Sequence, residues 1–442
     1  MRRGRNAAAS GSDLAGRLTS IVAATTTSEI AKRISAIVGA PHVREPIDAE
    51  RNVAHTIVEP GSVEEIREIV SMCEIDRITL AALGQARTLS QIRPSPVAVG
   101  LSLKRMARIV AYEPDDMTVV AEAGITVSEL NAATAPARQR LPVDPCNPGL
   151  TTLGSLIGAS HAGPLRLSEG TSRDLLIGIR FVGHGGRQIH GGGRVVKNVA
   201  GYDLMKVMGG SFGTLGIITE ATFKVRPLPA RYSIAIMRYE RADDAFAAAR
   251  TLNDAIPLSH LEILSPALAA RFEPSANFLL FAGFSGSSPE IDYQSKKIRE
   301  LIGPDHKILD DEDALRQYQQ LRDIDFHSKP LSAQIAVPPA RLATALDSCA
   351  CEFRAHAGLG VAQVFLVDEV SAQPSQDSVA RWRQVAHSAR GNLRVIAASP
   401  AVRHELQFFD TPNDGALTLM RRLKAAFDPA GIFNPGCFVG GI

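Results

Sequence analysis

Residues 191–216 read GGGRVVKNVAGYDLMKVMGGSFGTLG, and eight of these positions are glycine although the middle carries the valines, leucine and methionines of a packed segment. Glycine gives up packing surface and costs conformational entropy on folding, so this density marks tight turns or close approach of backbone to something large and flat. The surroundings decide between the two. Downstream, Ile217, Thr219, Ala221, Phe223 and Val225 alternate onto one face of a long strand, and upstream LLIGIRFVG at 175–183 reads as its neighbour.

Further toward the N-terminus, TIVEP at 56–60 reads as a short strand, and Ser62 with Glu65 forms a capping signal before a helix. Val63, Ile66, Ile69, Val70 and Cys73 fall on one face of that helix, and ITLAALG at 78–84 is the next strand. Beyond RPLP at 226–229 the order β-α-β-β-α-β over YSIAIMRY, ADDAFAAARTLND, LEIL, NFLLFAGF, EIDYQSKKIRELI and HKIL is ferredoxin-like. The strands AQIAV, AQVFLV and NLRVIA and a helix around LATALDSCACEFRAH enlarge that sheet, and no internal repeat is visible. The class is therefore α+β, with domains at 49–229 and 230–411, an N-terminal extension at 1–48 that is partly disordered, and a C-terminal helix and tail at 412–442 that returns to the first domain.

Composition narrows the function. The chain has 442 residues, 45% hydrophobic and 21% charged, enough apolar material for large cores. A net charge of +2 gives no reason to expect nucleic acid or an anionic surface as partner. The five cysteines, at 73, 146, 349, 351 and 437, are scattered without a Cys-x-x-Cys pair, so the sequence offers no zinc or iron–sulfur ligand set. The basic, Ala/Ser-rich start lacks the apolar core of a secretory signal, and no run is long enough to span a membrane, so the expected location is the cytoplasm. G-x-G-x-x-G after a strand, Walker A, Gly-x-Ser-x-Gly and His-Glu-x-x-His are all missing.

Four separated small-residue loops are present: LGQART at 83–88, DPCNPGLTTLGSLIGASHAGPLR at 144–166, the 191–216 stretch, and NPG at 434–436. With SRDLLIG at 172–178, KNVAGYDL at 197–204, GSFGTLGIITE at 210–220 and FDPAGIFNPG at 427–436, they resemble the flavoproteins with a PCMH-type FAD-binding domain, the vanillyl-alcohol oxidase-like family that includes FAD-linked 2-hydroxyacid dehydrogenases. Within that family the text is most similar to FAD-binding subunits of glycolate oxidases.

The resemblance implies a two-subdomain FAD-binding domain followed by the ferredoxin-like α+β cap, with FAD between the subdomains. The implied cofactor residues are Gly84, Gln85, Ala86, Arg87 and Thr88 in the first loop. Pro145, Thr152, Leu153, Gly154, Ser155, Gly158, Ala159 and Gly163 follow in the second, then Gly213, Gly216, Ile217 and Ile218, and Asn434 in the tail. Gly209 and Gly210 are read with them as points of close approach, and Gly201 as a turn. Small side chains let a diphosphate reach backbone amides, which the loops at 84–88 and 152–159 are expected to supply. Lys197, Asn198, Tyr202 and Asp203 read as structural, since Asn and Asp beside turns satisfy local amides.

The first loop holds no histidine, so the flavin is expected to be noncovalent; His161 is an ordinary pocket or surface residue, and His327 and His404 are surface residues. The resemblance further implies a 2-hydroxyacid such as glycolate as substrate, with a second FAD-linked catalytic subunit and an iron–sulfur subunit as partners, and peripheral membrane contact through them. The alternative is a self-sufficient FAD-dependent D-2-hydroxyacid dehydrogenase. The sequence names no base, no carboxylate-binding cation and no metal site, so the isolated chain is expected to reduce its flavin slowly or not at all with glycolate or D-lactate.

Overall fold

The computed structural model describes residues 27–84, 87–92, 95–193, 202–367 and 372–442. Residues 27–38 are helical, and Ile30, Ile34 and Val38 enter the first core, so packing begins ahead of residue 49.

Strand β1 (Ala54–Val58), helix α1 (Val63–Ile75), β2 (Leu80–Leu83) and β3 (Val97–Ser102) build the first subdomain. Both β1 and β2 run parallel to β3 and flank it, and the two-residue strand Val43–Arg44 closes the edge. Ser62 caps α1 by accepting from the Glu65 amide at 3.2 Å, and Ile66, Ile69, Val70 and Cys73 are fully buried, each worth about 1.5–3 kcal/mol for the large apolar side chains.

The second subdomain is an antiparallel sheet of β4 (Ile109–Glu113), β5 (Thr118–Glu122), β6 (Leu176–Gly183), β7 (Arg187–Gly192) and β8 (Ile217–Lys224), ordered β4-β5-β8-β6-β7. The short helix α2 (Leu153–Gly158) lies between the two sheets.

The cap is one eight-stranded antiparallel sheet. Its first half is β9 (Arg231–Tyr239), α3 (Ala242–Ala255), β10 (His260–Leu264), β11 (Phe278–Gly286), α4 (Ser288–Ile302) and β12 (Lys307–Asp310). Its second half is β13 (Leu331–Ala336), α5 (Leu342–Cys349), β14 (Glu352–His356), β15 (Val361–Phe365), α6 (Ala372–Ser388) and β16 (Asn392–Ala398). The strand order is β12-β9-β11-β10-β14-β15-β13-β16. Each half is thus a β-α-β-β-α-β unit, joined second strand to second strand where Ile263 faces Ala355. This corrects the expectation of no internal repeat. It also corrects the long helix through EFRAH: α5 stops at Cys349, Ala350 takes the left-handed conformation at φ 49°, and EFRAH is strand β14.

Helix α7 (Asp414–Phe427) carries the chain back. The Leu80 amide donates to Ile432 O at 2.9 Å and the Asn434 amide to Leu80 O at 2.7 Å. Lys424 donates to Thr214 O and Phe433 O at 2.7 and 2.8 Å and pairs with Asp428 at 2.6 Å, holding tail, glycine loop and first sheet together.

Candidate functional site

Two connected clefts share Thr88, Ser155, Ala159 and Phe212. The first lies within the N-terminal domain and spans about 670 Å³, part of it open to solvent. Its walls include Ala82 in β2 with Gly84 and Thr88 beyond it, Thr152, Gly154, Ser155, Gly158 and Ala159 around α2, and Gly213, Gly216 and Ile218 at the start of β8. Eleven positions from three distant segments thus leave a cradle walled mostly by small side chains.

The glycines there differ in what they do. A Cβ on Gly158 would meet nothing within 4 Å, so it would project into the cleft. A Cβ on Gly216 would sit 2.8 Å from Val182 O, at φ 150°, so that glycine serves strand packing as well as the cleft wall.

Several other sequence-selected residues fall outside this lining. Gly209 and Gly210 make backbone turns, donating to Met205 O and Ile157 O. Gly163 packs against Asp144, whose carbonyl oxygen would lie 1.9 Å from an added Cβ. Pro145, Leu153 and Ile217 are buried in the protein. Asn434 is also buried and donates its side-chain amide to Phe212 O, fixing the loop rather than facing the cleft. Asp203 caps a helical turn through the Lys206 amide, and Tyr202 is exposed. Arg87 opens a short helix to Ile92; Gln85, Ala86, Lys197, Asn198 and Gly201 lie outside the described residues.

The expected use of the 152–159 amides also needs correction. Those of Leu153 and Gly154 donate to Ile125 O and Ala123 O, that of Ser155 to Thr152 Oγ1, and those of Leu156 and Ala159 to Thr152 O and Ser155 O. The segment contributes small side chains and space more than free donors.

The second cleft, about 1270 Å³ and open to solvent, lies between this domain and the cap. On the domain side stand Ser160, His161 and Arg166; His161 Nε2 and Thr88 Oγ1 are 3.1 Å apart. On the cap side stand Phe326, His327, Gln334, Arg354, Gln363 and Arg394. His327 is therefore a cleft residue rather than a surface one, its ring 6.0 Å from that of His161 and its Nδ1 3.7 Å from Asp325 Oδ1.

A buried polar network that includes a histidine–carboxylate pair backs the cleft. His356 Nδ1 meets Glu262 Oε1 at 2.6 Å, and His356 Nε2 meets Gln363 Nε2 at 3.2 Å. Arg354 donates to Gln363 Oε1 at 3.2 Å and Leu321 O at 2.9 Å, and its guanidinium lies 4.9 Å over Phe326. Among the described residues no cluster of three His, Cys, Asp or Glu is placed to hold a metal.

Deeper still, Tyr318 donates to Asp144, and Tyr232 Oη lies 2.6 Å from His260 Nε2. Burial pushes Asp144 up to about 6, against the pull of Tyr318, and pushes His260 down to about 3, helped by nearby His356. The two act oppositely on stability. Between pH 6.5 and about 3 the unfolded chain takes up the His260 proton that the fold refuses, so His260 costs stability as pH falls. Asp144 binds its proton first in the fold, so it gains stability as pH falls from about 6 to 3.8. The larger His260 shift wins. At pH 4.5 the histidine contribution is of the order of 3 kcal/mol, worth roughly 3 °C in melting temperature for a chain of this length. Moving from pH 7 to 4.5 should therefore lower the melting temperature of His260→Gln by less than that of the parent; equal drops would remove His260 as the cause.

Sequence comparison is consistent with this geometry. Residues 54–192 match a family described as FAD binding domain, and residues 403–437 one described as FAD linked oxidases, C-terminal domain. The chain is 30% identical over 341 residues to glycolate oxidase subunit GlcE of Escherichia coli (strain K12), covering 74% of this chain and 83% of that one. It is 26% identical over 420 residues to the mitochondrial D-lactate dehydrogenase [cytochrome] of Arabidopsis thaliana, covering 87% and 73%. Its fold matches 4-ethylphenol oxidase from Gulosibacter chungangensis with a TM-score of 0.68 at 16% identity, over 92% of this chain and 96% of that one.

Proposed function

The chain belongs to the FAD-linked oxidases, with a PCMH-type FAD-binding domain ahead of the oxidase C-terminal domain, and from that premise we propose that it oxidises a 2-hydroxyacid in its own interdomain cleft, as the FAD-binding subunit of a glycolate oxidase-type complex. The observation that carries the reading is the pairing of a small-residue cradle with a cleft holding three guanidiniums and two imidazoles.

Gly84, Thr88, Thr152, Gly154, Ser155, Gly158, Ala159, Gly213, Gly216 and Ile218 would hold FAD noncovalently. Bound FAD supplies the acceptor for the two electrons that leave the alcohol carbon. The guanidiniums hold the substrate carboxylate through charge-assisted hydrogen bonds, and His327 takes the hydroxyl proton. Electrons then pass to a second FAD-linked subunit and an iron–sulfur subunit in the cytoplasm. No helix among the described residues is long and apolar enough to cross a membrane, so membrane contact would come through those partners.

The same cleft favours a second reading, the self-sufficient D-2-hydroxyacid dehydrogenase, because base and cation both lie on this one chain. On that reading the isolated chain reduces its flavin readily, against the expectation that it does so slowly or not at all. Anaerobic mixing with 2-hydroxyacids, monocarboxylic such as glycolate and D-lactate or dicarboxylic, should bleach the flavin of the lone protein with at least one of them, and unchanged absorbance near 450 nm with every one would remove the cleft from the chemistry. Acid precipitation should leave yellow FAD in the supernatant; colour retained in the pellet would show a covalent link and reopen His161 as an attachment site.

A further inference from the structure

Four polar side chains in the cap form one row. Arg354 on β14 faces Gln363 on β15, Gln363 faces Gln334 on β13, and Gln334 faces Arg394 on β16. Directly paired residues share a sheet face, so the row Arg-Gln-Gln-Arg runs across four strands into the cleft, an arginine at each end. Three interstrand steps of about 4.8 Å place the end Cα atoms roughly 14 Å apart, and the long side chains can close much of that gap. Arg166 adds a third guanidinium from the opposite wall.

The protein balances only part of this charge. Arg354 has Glu262 Oε2 at 3.9 Å, the carboxylate whose other oxygen is bonded to His356. Among the described residues, neither Arg166 nor Arg394 has an acidic partner within 4.0 Å. Burial, and then Arg166, bring Arg394 down to about 10; burial lowers Arg166 too, only partly offset by Glu262, Asp144 and Asp174 at longer range. Arg394 has Phe212 for a neighbour, 5.9 Å from its ring centre. Two half-buried cations without counter-ions raise the free energy of the empty cleft, and a monocarboxylate would neutralise only one of them.

We infer that the cleft is built for a 2-hydroxyacid with a second carboxylate, a short hydroxydiacid whose two carboxylates neutralise the guanidiniums of Arg394 at the end of the row and Arg166 on the opposite wall, with the two glutamine amides of the row beside it. The inference rests on the hydroxyacid reading above and narrows it from monocarboxylates such as glycolate.

The test is calorimetric titration of the flavin-loaded full chain with succinate, glutarate and butyrate, which lack the hydroxyl and cannot be oxidised. The better of the two diacids should bind at least about tenfold more tightly than butyrate. Arg394→Gln should narrow that ratio to about twofold or less while flavin content and melting temperature are kept, and Arg394→Lys should retain part of it. Butyrate binding as tightly as both diacids, or an undiminished preference in Arg394→Gln, would overturn the inference. So would loss of flavin from a folded Arg394→Gln, which would assign the guanidinium to the cofactor diphosphate. If glycolate bleaches the flavin but no diacid preference exists, the narrowing alone fails; a folded chain that takes up no flavin takes the hydroxyacid reading down with it.

Discussion

Gly158→Val should yield a folded protein without flavin. Gly158 ends α2 on the cradle wall, and its added Cβ would enter open space, with nothing beyond its own helix and chain neighbours within 4 Å. Its carbonyl still accepts the Phe212 amide at 2.8 Å, so the junction between the clefts keeps its backbone bond. The substitution also removes a helical glycine, which tends to stabilise a helix rather than weaken it, by about 0.5–1 kcal/mol for the alanine case. The branched side chain therefore acts on the space for the ligand and little else. Comparison must be with the flavin-free parent, because bound cofactor raises the apparent stability of the holoprotein by mass action. The expected result is an apo melting temperature within about 3 °C of the apo parent and no absorbance near 450 nm after incubation with FAD. Full flavin occupancy in Gly158→Val would show that the cradle is not the cofactor site. Gly216 cannot serve this purpose, because its Cβ would strike Val182 O and confuse lost binding with lost folding.

The cradle was legible in the sequence because its signal is local. Each small-residue loop sits beside a strand or helix whose periodicity can be read, and ten of the selected residues line one cleft. Within a loop, sequence cannot separate a glycine that faces a ligand from one that packs on backbone: Gly163 and Gly158 look alike in text, yet one abuts Asp144 O and the other open space. The polar row was not legible. Each of LSAQIA, EFRAH, VAQVF and NLRVIAA carries its Gln or Arg as an isolated polar residue amid apolar neighbours, a signal that could have been noticed. Which of them face one another depends on register and on a strand order that skips along the chain, β14-β15-β13-β16. Reading EFRAH as helix then hid Arg354 and His356 together, since a helix would turn them to different sides whereas a strand points residues two apart the same way.

The base follows from the same placement. A proton acceptor must stand within reach of a hydroxyl held between the guanidinium row and the cradle, and the cleft offers His161 on the domain wall and His327 on the cap wall. His161 already has Thr88 Oγ1 at 3.1 Å. His327 has Asp325 Oδ1 3.7 Å from Nδ1, too long for a hydrogen bond but near enough to favour a proton on that nitrogen and leave Nε2 as acceptor. The Asp325 carboxylate is itself held by the His327 backbone amide at 2.9 Å, which fixes the pair as one turn. Losing a positioned general base usually costs about 10²–10⁴ in rate. His327→Asn should therefore slow anaerobic flavin bleaching by the substrate by about that factor, with flavin content unchanged and diacid affinity within about twofold, whereas His161→Gln should cost about tenfold or less. The split between rate and affinity gives the readout that a merely structural role would not move: the limiting reduction rate should fall in His327→Asn while diacid affinity and flavin content hold. A variant that bleaches within about threefold of the parent would exclude His327, and transfer of the effect to His161→Gln would put the base on the wall beside the cradle instead.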